Sequence, residues 1–214
     1  KMHVKYDSKE GVLWGRKIME FIRKEAANAS EKLGLQRGNF PAWKGSLFDE
    51  EGRSMRNATL TAISPTGTMS LIADVSPSLE PNFALCFLRK ALDGREFVYT
   101  NGHFKDALIE KGIHSETILR EVAKRGSVQG MKDIPKSIRD VFVTAQDITA
   151  EWHIKMQAAF QEFVDGGISK TVNFSSAATV RDVEQGLLGA WSQGCKGITI
   201  YRDGSLDSQI IQVK

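Results

Sequence analysis

The segment from Thr171 to Tyr201 constrains the fold most, because it predicts a strand, a helix and a second strand joined by short links. Thr171–Phe174 has the composition of a short strand, and Gly197–Tyr201 has that of a buried one. Between them, Thr179 and Asp182 have the spacing of a capping box, which marks the start of a helix. Strand–helix–strand units of this kind pair their strands in parallel and are almost always right-handed. The segment therefore predicts an α/β fold.

Three segments carry stripes of apolar residues at helical spacing, which predicts three helices. The stripes are Trp14, Ile18, Phe21 and Ile22 in a helix predicted over 11–27, Ile148, Trp152, Met156, Ala159, Phe160 and Phe163 over 147–164, and Val180, Val183, Leu187 and Trp191 in a helix that ends at Gly194. Helices are also predicted over 102–110 and 115–125, and extended chain over 83–89. Glu151 and Lys155 are spaced to pair on an exposed helix side.

Composition excludes several classes of protein. Hydrophobic residues make up 41% and charged residues 26% of the 214 residues, which is typical of a globular protein. The 29 basic and 26 acidic side chains are scattered, so we expect no nucleic-acid partner. No apolar run reaches the roughly 18 residues that a membrane span needs, and the first residues lack the apolar core of a secretory signal.

The two cysteines, Cys86 and Cys195, form no CxxC pair, which excludes a disulfide framework and suits a reducing, cytoplasmic location. Both are interpreted as packing residues. The histidines show no spacing typical of metal ligands and are expected to be surface or packing residues. They are His3, His103, His114 and His153.

The clearest candidate for a binding site is Asn57–Pro81, NATLTAISPTGTMSLIADVSPSLEP. A strand predicted over 57–64 leads into a loop of small residues, and a short helix is predicted to open at Met69–Ala73. Strand, loop and helix start is an arrangement that binds phosphate, because the first amides of a helix have no partner within it.

Within this segment, Gly67 permits close backbone approach to a ligand, and Thr66 and Thr68 add hydroxyl donors. A Pro-Gly turn capped by threonines, with no ligand, is the alternative that the spacing leaves open. A second segment, Gly166–Thr171 (GGISKT), is only superficially similar to a P-loop. Ser169 stands where a P-loop has glycine, and the predicted order of helix then strand is reversed.

Three stretches together resemble the C-terminal half of ribonucleotide reductase large subunits. They are RNATLTAISPTGTMSLIADVSPSLEPNFAL at 56–85, GGISKTVNFSSAATVRDVEQGLLGAW at 166–191 and GCKGITIYRDGS at 194–205. Their order and spacing are similar too, and the similarity covers most of the chain. The motifs PTGT, SKTVN and CKGITIYRDGS are more similar to those of the class II, adenosylcobalamin-dependent branch than to those of class I. Class I enzymes carry two adjacent tyrosines near the final strand, where this chain has the single Tyr201.

The resemblance implies the ten-stranded α/β barrel of the family, with residues 1–214 supplying a C-terminal half-barrel region. It also implies that the loop from Pro65 to Met69 holds the substrate diphosphate. The implied substrate contacts are Thr66, Gly67, Thr68 and Met69, with Ser70 as a secondary candidate.

The implied reaction converts ribonucleotides to 2′-deoxyribonucleotides through a thiyl radical, with adenosylcobalamin as the radical source. The family's finger-loop pattern, Asn-x-Cys-x-Glu, is missing from this sequence, and Cys86 and Cys195 stand in LCF and GCK. Neither cysteine is therefore assigned a catalytic role. The resemblance implies that activity needs an N-terminal reductase polypeptide carrying the radical cysteine.

A half-barrel exposes strand edges and apolar surface unless a partner covers them. We therefore expect a hydrophobic interface with that partner of more than about 2,000 Å². Two alternatives stay open: a non-catalytic nucleotide-binding or regulatory module that has kept the phosphate loop, and an inactive fragment of the same family.

Overall fold

The computed structural model describes residues 2–73, 75–90 and 96–205. The helices in these ranges are α1 (Lys9–Arg37), α2 (Leu47–Glu50), α3 (Gly67–Ala73), α4 (Gly102–Glu110), α5 (Glu116–Arg125), α6 (Lys136–Val141), α7 (Ala150–Gln161) and α8 (Val180–Ser192). The strands are β1 (Cys86–Lys90), β2 (Glu96–Thr100), β3 (Thr171–Phe174) and β4 (Thr199–Arg202). None of the described helices combines the length and apolar character that crossing a membrane requires.

The predicted strand–helix–strand unit is confirmed. Strands β3 and β4 pair in parallel, with Thr171 opposite Thr199, and α8 connects them. The capping box of α8 is present, because Asp182 N donates to Thr179 Oγ1 at 3.3 Å and Thr179 N donates to Asp182 Oδ2 at 2.7 Å. Gly194 adopts a left-handed φ of 75° just beyond the helix, as expected of a residue that ends one.

A hydrophobic core lies under the antiparallel hairpin of β1 and β2. Helices α4, α5 and α6 contribute to it, and its buried members are Leu85, Cys86, Phe104, Leu108, Leu119, Val122, Ala123, Val128, Met131, Ile134 and Ile138. Helices α4 and α5 begin where the sequence predicts, at Asn101 and Ser115, whose side chains accept from the amides of Phe104 and Ile118. Strand β2 is not evident from the sequence, since it becomes a strand by pairing with β1.

Helix α1 is capped by Ser8, whose Oγ accepts from Gly11 N at 2.9 Å, and it extends well past its predicted end. It packs against α7. A Cβ at Gly15 would lie 2.6 Å from the ring of Phe160 and 3.0 Å from Met156 Sδ, so only glycine allows this approach. The stripe predicted for α7 is largely confirmed: Met156 and Ala159 are buried and Phe160 is half-buried.

The strand predicted over 57–64 was wrong. Ile63 makes only an isolated parallel bridge with Ile168. Backbone hydrogen bonds join this segment to residues 166–169 at Thr61 and Ile63, but the amide of Leu60 is bound by a side chain instead, Asp165 Oδ2, at 2.6 Å. The 57–64 segment is therefore an irregular connection that lies against residues 165–169, and not a strand.

The apolar stripes of α1 and α8 are largely exposed. The exposed members are Trp14, Ile18, Phe21 and Ile22 on α1 and Val180, Leu187 and Trp191 on α8. The buried residues of these helices are mostly small: Gly11, Gly15, Ser30 and Gly34 beside Met19 on α1, and Gly186 with Ala190 on α8. Because the backbone approaches closest at these small residues, the bulky apolar side chains point away.

Candidate functional site

The predicted loop is held in an uncommon backbone conformation. Thr66 and Ser78 have left-handed φ angles of 50° and 51°, which non-glycine residues adopt rarely. A hydrogen bond joins the two, since Ser78 N donates to Thr66 Oγ1 at 2.8 Å. Such conformations cost about 1–3 kcal/mol each and persist where surrounding contacts impose them. The conformation of the loop therefore depends on contacts with residues outside it, such as Ser78.

Helix α3 starts directly after Thr66. Its first helical hydrogen bond runs from Ser70 N to Thr66 O at 2.9 Å, so the amides of Gly67, Thr68 and Met69 precede it and have no partner within the helix. These three residues are exposed. A Cβ at Gly67 would meet no described atom within 4 Å, so the space beside this turn is open. The geometry can present amide donors to an anion.

The predicted hydroxyls have different surroundings. Thr66 Oγ1 accepts from Ser78 N, which leaves its own proton to donate elsewhere. Thr68 is exposed. Ser70 is buried, and its hydroxyl donates to Gly67 O at 2.7 Å, which stabilises the turn from inside. A direct contact of Ser70 with substrate stays a prediction.

A buried charged group lies next to this loop. Lys170 is 1% exposed, and its Nζ has three partners: Glu80 Oε2 at 2.7 Å, His153 Nδ1 at 2.9 Å and Thr171 O at 2.9 Å. An ammonium group has three protons, so every donor is used. Lys170, which a P-loop would direct at phosphate, is thus directed into the protein.

Glu80 connects the loop to strand β3. Its Oε1 accepts from Thr171 N at 2.5 Å while Oε2 accepts from Lys170, so both carboxylate oxygens are bound. The turn before it is closed by Glu80 N donating to Pro77 O at 3.0 Å, and Tyr6 Oη donates to Leu79 O at 2.7 Å. The residues that follow the predicted loop are therefore held by contacts with Lys170, Thr171 and Tyr6.

Burial changes the pKa values of this group. Burial and, to a smaller extent, the positive charge of Lys170 lower the pKa of His153 to about 4, against the opposing effect of a bond to Ala145 O. Neutral His153 then accepts from Lys170 at Nδ1 and donates from Nε2 to Ala145 O at 3.0 Å. Burial also lowers the pKa of Lys170, opposed by Glu80. The pKa of Tyr6 is raised well above its usual value by burial and by the charge of Glu80.

Both thiols have the environment of packing residues. Cys86 is buried, its Sγ donates to Thr100 Oγ1 at 3.7 Å, and burial raises its pKa to about 11. Burial raises the pKa of the half-buried Cys195 as well. Both thiols therefore stay protonated at neutral pH. Within the described ranges, histidine, cysteine and carboxylate side chains nowhere gather in threes as a metal site requires.

A cavity of about 760 Å³ lies between β3, α7 and α8. Its lining includes Ile154, Phe174, Asp182 and Gly186. None of the predicted substrate contacts lines it, so it is separate from the loop at Thr66.

Comparison with known proteins identifies the family. The sequence profile of the ribonucleotide reductase barrel domain matches residues 1–201. The chain belongs to the ribonucleotide reductase family. The α/β barrel fold expected from the resemblance is thereby confirmed, and the alpha subunit of the class Id ribonucleotide reductase of Actinobacillus ureae has a similar structure. That match has a TM-score of 0.80 at 27% identity and covers 94% of this reductase chain and 36% of that subunit.

Curated relatives of this reductase chain carry the name Vitamin B12-dependent ribonucleoside-diphosphate reductase. The Thermoplasma acidophilum protein is 44% identical over 211 residues, covering 99% of the chain and 27% of that protein. The Mycobacterium tuberculosis H37Rv protein is 40% identical over 208 residues, covering 97% of the chain and 29% of that protein. The chain thus spans less than a third of the length of these relatives.

The sequence did not identify the buried group of Glu80, Lys170 and His153. Its only signal is a single charged residue in a short stretch of uncharged ones, as in SLEP and ISKTV. Such a charge is usually paired when it is buried, but its partner is distant in sequence and is not predictable from local pattern. In the reductase, Glu80 and Lys170 are 90 positions apart.

Proposed function

We propose that this chain is part of an adenosylcobalamin-dependent ribonucleotide reductase and that its loop binds the phosphate groups of the ribonucleotide substrate. The observation that carries the proposal is the open, exposed helix start at Gly67 beside the Thr66 hydroxyl. The names of the relatives, which specify a vitamin B12-dependent ribonucleoside-diphosphate reductase, support the same activity and a diphosphate substrate.

The chemistry assigned to this chain is binding and orientation. The amides of Gly67, Thr68 and Met69 donate to phosphate oxygens, and the hydroxyls of Thr66 and Thr68 add two donors. Fixing the phosphates at one end of the substrate holds the ribose in one place, where a radical on another part of the enzyme can reach it. No residue of this chain is assigned to the chemical step.

Adenosylcobalamin is the proposed radical source. In the described part of the chain, the cavity between α7 and α8 has about 760 Å³, and roughly 300–1,000 Å³ is the size range of pockets for drug-sized ligands. Adenosylcobalamin is several times larger than such ligands and does not fit there. We therefore assign no residue of this chain to the cofactor and propose that other parts of the reductase hold it.

An N-terminal reductase polypeptide is the proposed partner and the source of the radical cysteine. Cys86 is buried, and neither Cys86 nor Cys195 stands in the Asn-x-Cys-x-Glu pattern, which supports this assignment. The exposed apolar faces of α1 and α8 support it as well, since Phe21 is 64% and Trp191 is 78% exposed. Contiguous apolar surface of this kind is typical of a protein interface.

The phosphate loop is tested by Thr66→Ala/Thr68→Ala in the complete reductase. We expect binding of a ribonucleoside diphosphate to weaken by about 1–3 kcal/mol, because two hydroxyl donors to charged oxygens are lost. Isothermal titration of the diphosphate measures this effect, and titration of the matching nucleoside, which lacks phosphate, should give equal affinities for both proteins.

Thr117→Ala is the matched control, since Thr117 is an exposed threonine on α5. Equal diphosphate affinity for all three proteins would mean that the loop is a turn without a ligand. Phosphate-dependent binding without cobalamin-dependent turnover, even with the N-terminal polypeptide present, would favour the nucleotide-binding module instead.

The interface is tested by Trp191→Glu. A charge at the centre of an apolar interface is expected to weaken association with the N-terminal polypeptide by at least about tenfold. Sedimentation of the mixed polypeptides measures the affinity. Lys105→Glu is the control, because Lys105 is exposed on α4 outside both apolar faces. Equal affinity of the Trp191→Glu and unsubstituted chains would exclude this face from the interface.

A further inference from the structure

We propose that the buried pair of Lys170 and Glu80 positions the substrate loop, and that Lys170 controls phosphate affinity without touching the substrate. The proposal rests on the proposed function, because it assigns a role to residues that shape the same loop. Its basis is that the Gly167–Thr171 segment is bonded to the chain on both sides of that loop.

The first connection precedes the loop. Ile63 N donates to Gly167 O at 3.2 Å, and Ser169 N donates to Ile63 O at 2.9 Å. These two bonds form the isolated bridge that fixes Ile63 just before Pro65. The chain therefore enters the loop from a point set by the residues that directly precede Lys170.

The second connection follows the loop. Glu80 is held by Lys170 Nζ at 2.7 Å and by Thr171 N at 2.5 Å. Only the turn through Leu79 separates Glu80 from Ser78, whose amide donates to Thr66 Oγ1 at 2.8 Å. The path from the charged pair to a proposed phosphate contact is thus Lys170, Glu80, Ser78 and Thr66.

The conformation at the end of this path needs support. Thr66 and Ser78 both have left-handed φ angles, of 50° and 51°, and the bond between them and the contacts of their neighbours hold them there. Because the Ser78 amide takes one lone pair of the Thr66 hydroxyl, it also orients the proton that would face phosphate. If Glu80 shifts, Ser78 shifts with it and this orientation is lost.

The pair is sensitive to charge as well as to shape. Lys170 has 0% and Glu80 20% side-chain exposure, so water does not replace a missing partner readily. Removing one charge leaves the other buried and uncompensated, which costs more than removing both. A carboxylate without its ammonium partner is expected to move towards solvent and to carry the 77–80 turn with it.

The experiment uses the complete reductase with Lys170→Met, Glu80→Gln and the combined variant. For Lys170→Met we expect KM for the ribonucleotide to rise at least about tenfold with kcat within about threefold, since binding and not chemistry is affected. Affinity for the unphosphorylated nucleoside should stay unchanged. Glu80→Gln should change KM in the same direction, and the combined variant should recover most of the loss because no buried charge is left unpaired.

Leu108→Ala is the control for a purely structural effect. Leu108 is fully buried in the core under the hairpin, so this variant should lower stability and leave KM of the folded enzyme unchanged. If folded Lys170→Met or Glu80→Gln enzyme has the KM of the unsubstituted reductase, the positioning role is overturned. The same holds if the combined variant is no better than Lys170→Met.

The Thr66→Ala/Thr68→Ala variant separates this proposal from the proposed function. If it weakens diphosphate binding while Lys170→Met does not, the loop binds phosphate and the positioning role is wrong. If it leaves diphosphate binding unchanged, the proposed function of the loop itself is wrong, whatever Lys170→Met does.

Discussion

Phe104→Ala is expected to lower the free energy of unfolding of the hairpin core by about 3–5 kcal/mol, because a fully buried aromatic side chain is replaced by a cavity. Phe104 has no exposed surface, and its ring meets that of Phe142 edge-on at a centroid distance of 5.3 Å. Both rings belong to the core beneath β1 and β2. The lost stability therefore includes the burial of the Phe104 ring and its contact with the ring of Phe142.

Hydrogen exchange of amides in α4, α5 and the hairpin measures this change locally. Ile109→Ala is the matched control, since Ile109 lies on the same helix but is 52% exposed. It should change stability by no more than about 0.5 kcal/mol. Similar losses for the two variants would contradict the burial on which the prediction rests.

The second large effect is a loss of stability in acid caused by His153. The pKa of this side chain is about 4 in the folded chain, against an ordinary value of 6.5, because burial and Lys170 oppose its charged form. Between these two values the unfolded chain binds the extra proton and the folded chain does not. The contribution, about 3 kcal/mol, is therefore fully present above pH 6.5 and is lost as the pH falls through 4.

Urea unfolding at a series of pH values from neutral down to about 4 measures the effect. His153→Gln should remove this part of the pH dependence, because glutamine does not titrate. His114→Gln is the control, since His114 is exposed on the loop before α5, and it should follow the unsubstituted protein. An unchanged pH profile for His153→Gln would mean that His153 is not the group responsible.

The elements that the sequence predicted well are those whose stabilising contacts are local. The capping box of α8 joins Thr179 to Asp182, three positions away. The caps of α4 and α5 have the same short range. So does the ion pair in which Lys155 Nζ lies 2.5 Å from Glu151 Oε1. Residues at these spacings meet as soon as the helix forms, so their pattern is readable without the rest of the molecule.

The surroundings of the helix faces and of the segment before the loop are not readable from the sequence, for a different reason. An apolar stripe shows that one face avoids water, but not which element covers it. On α1, Gly15 faces α7 while Phe21 stays exposed. Likewise the composition of 57–64 favours a strand, yet Asp165 binds the amide of Leu60 in place of a strand neighbour.

The sequence by itself determined the family, the strand–helix–strand unit and the position of the proposed phosphate loop, because these depend on short motifs and their order along the chain. Only the tertiary structure decided what shapes that loop. Lys170 and Glu80 are 90 positions apart, and Tyr6 reaches Leu79 across 73 positions. Contacts at such separations form only when folding brings distant segments together, so no local pattern encodes them.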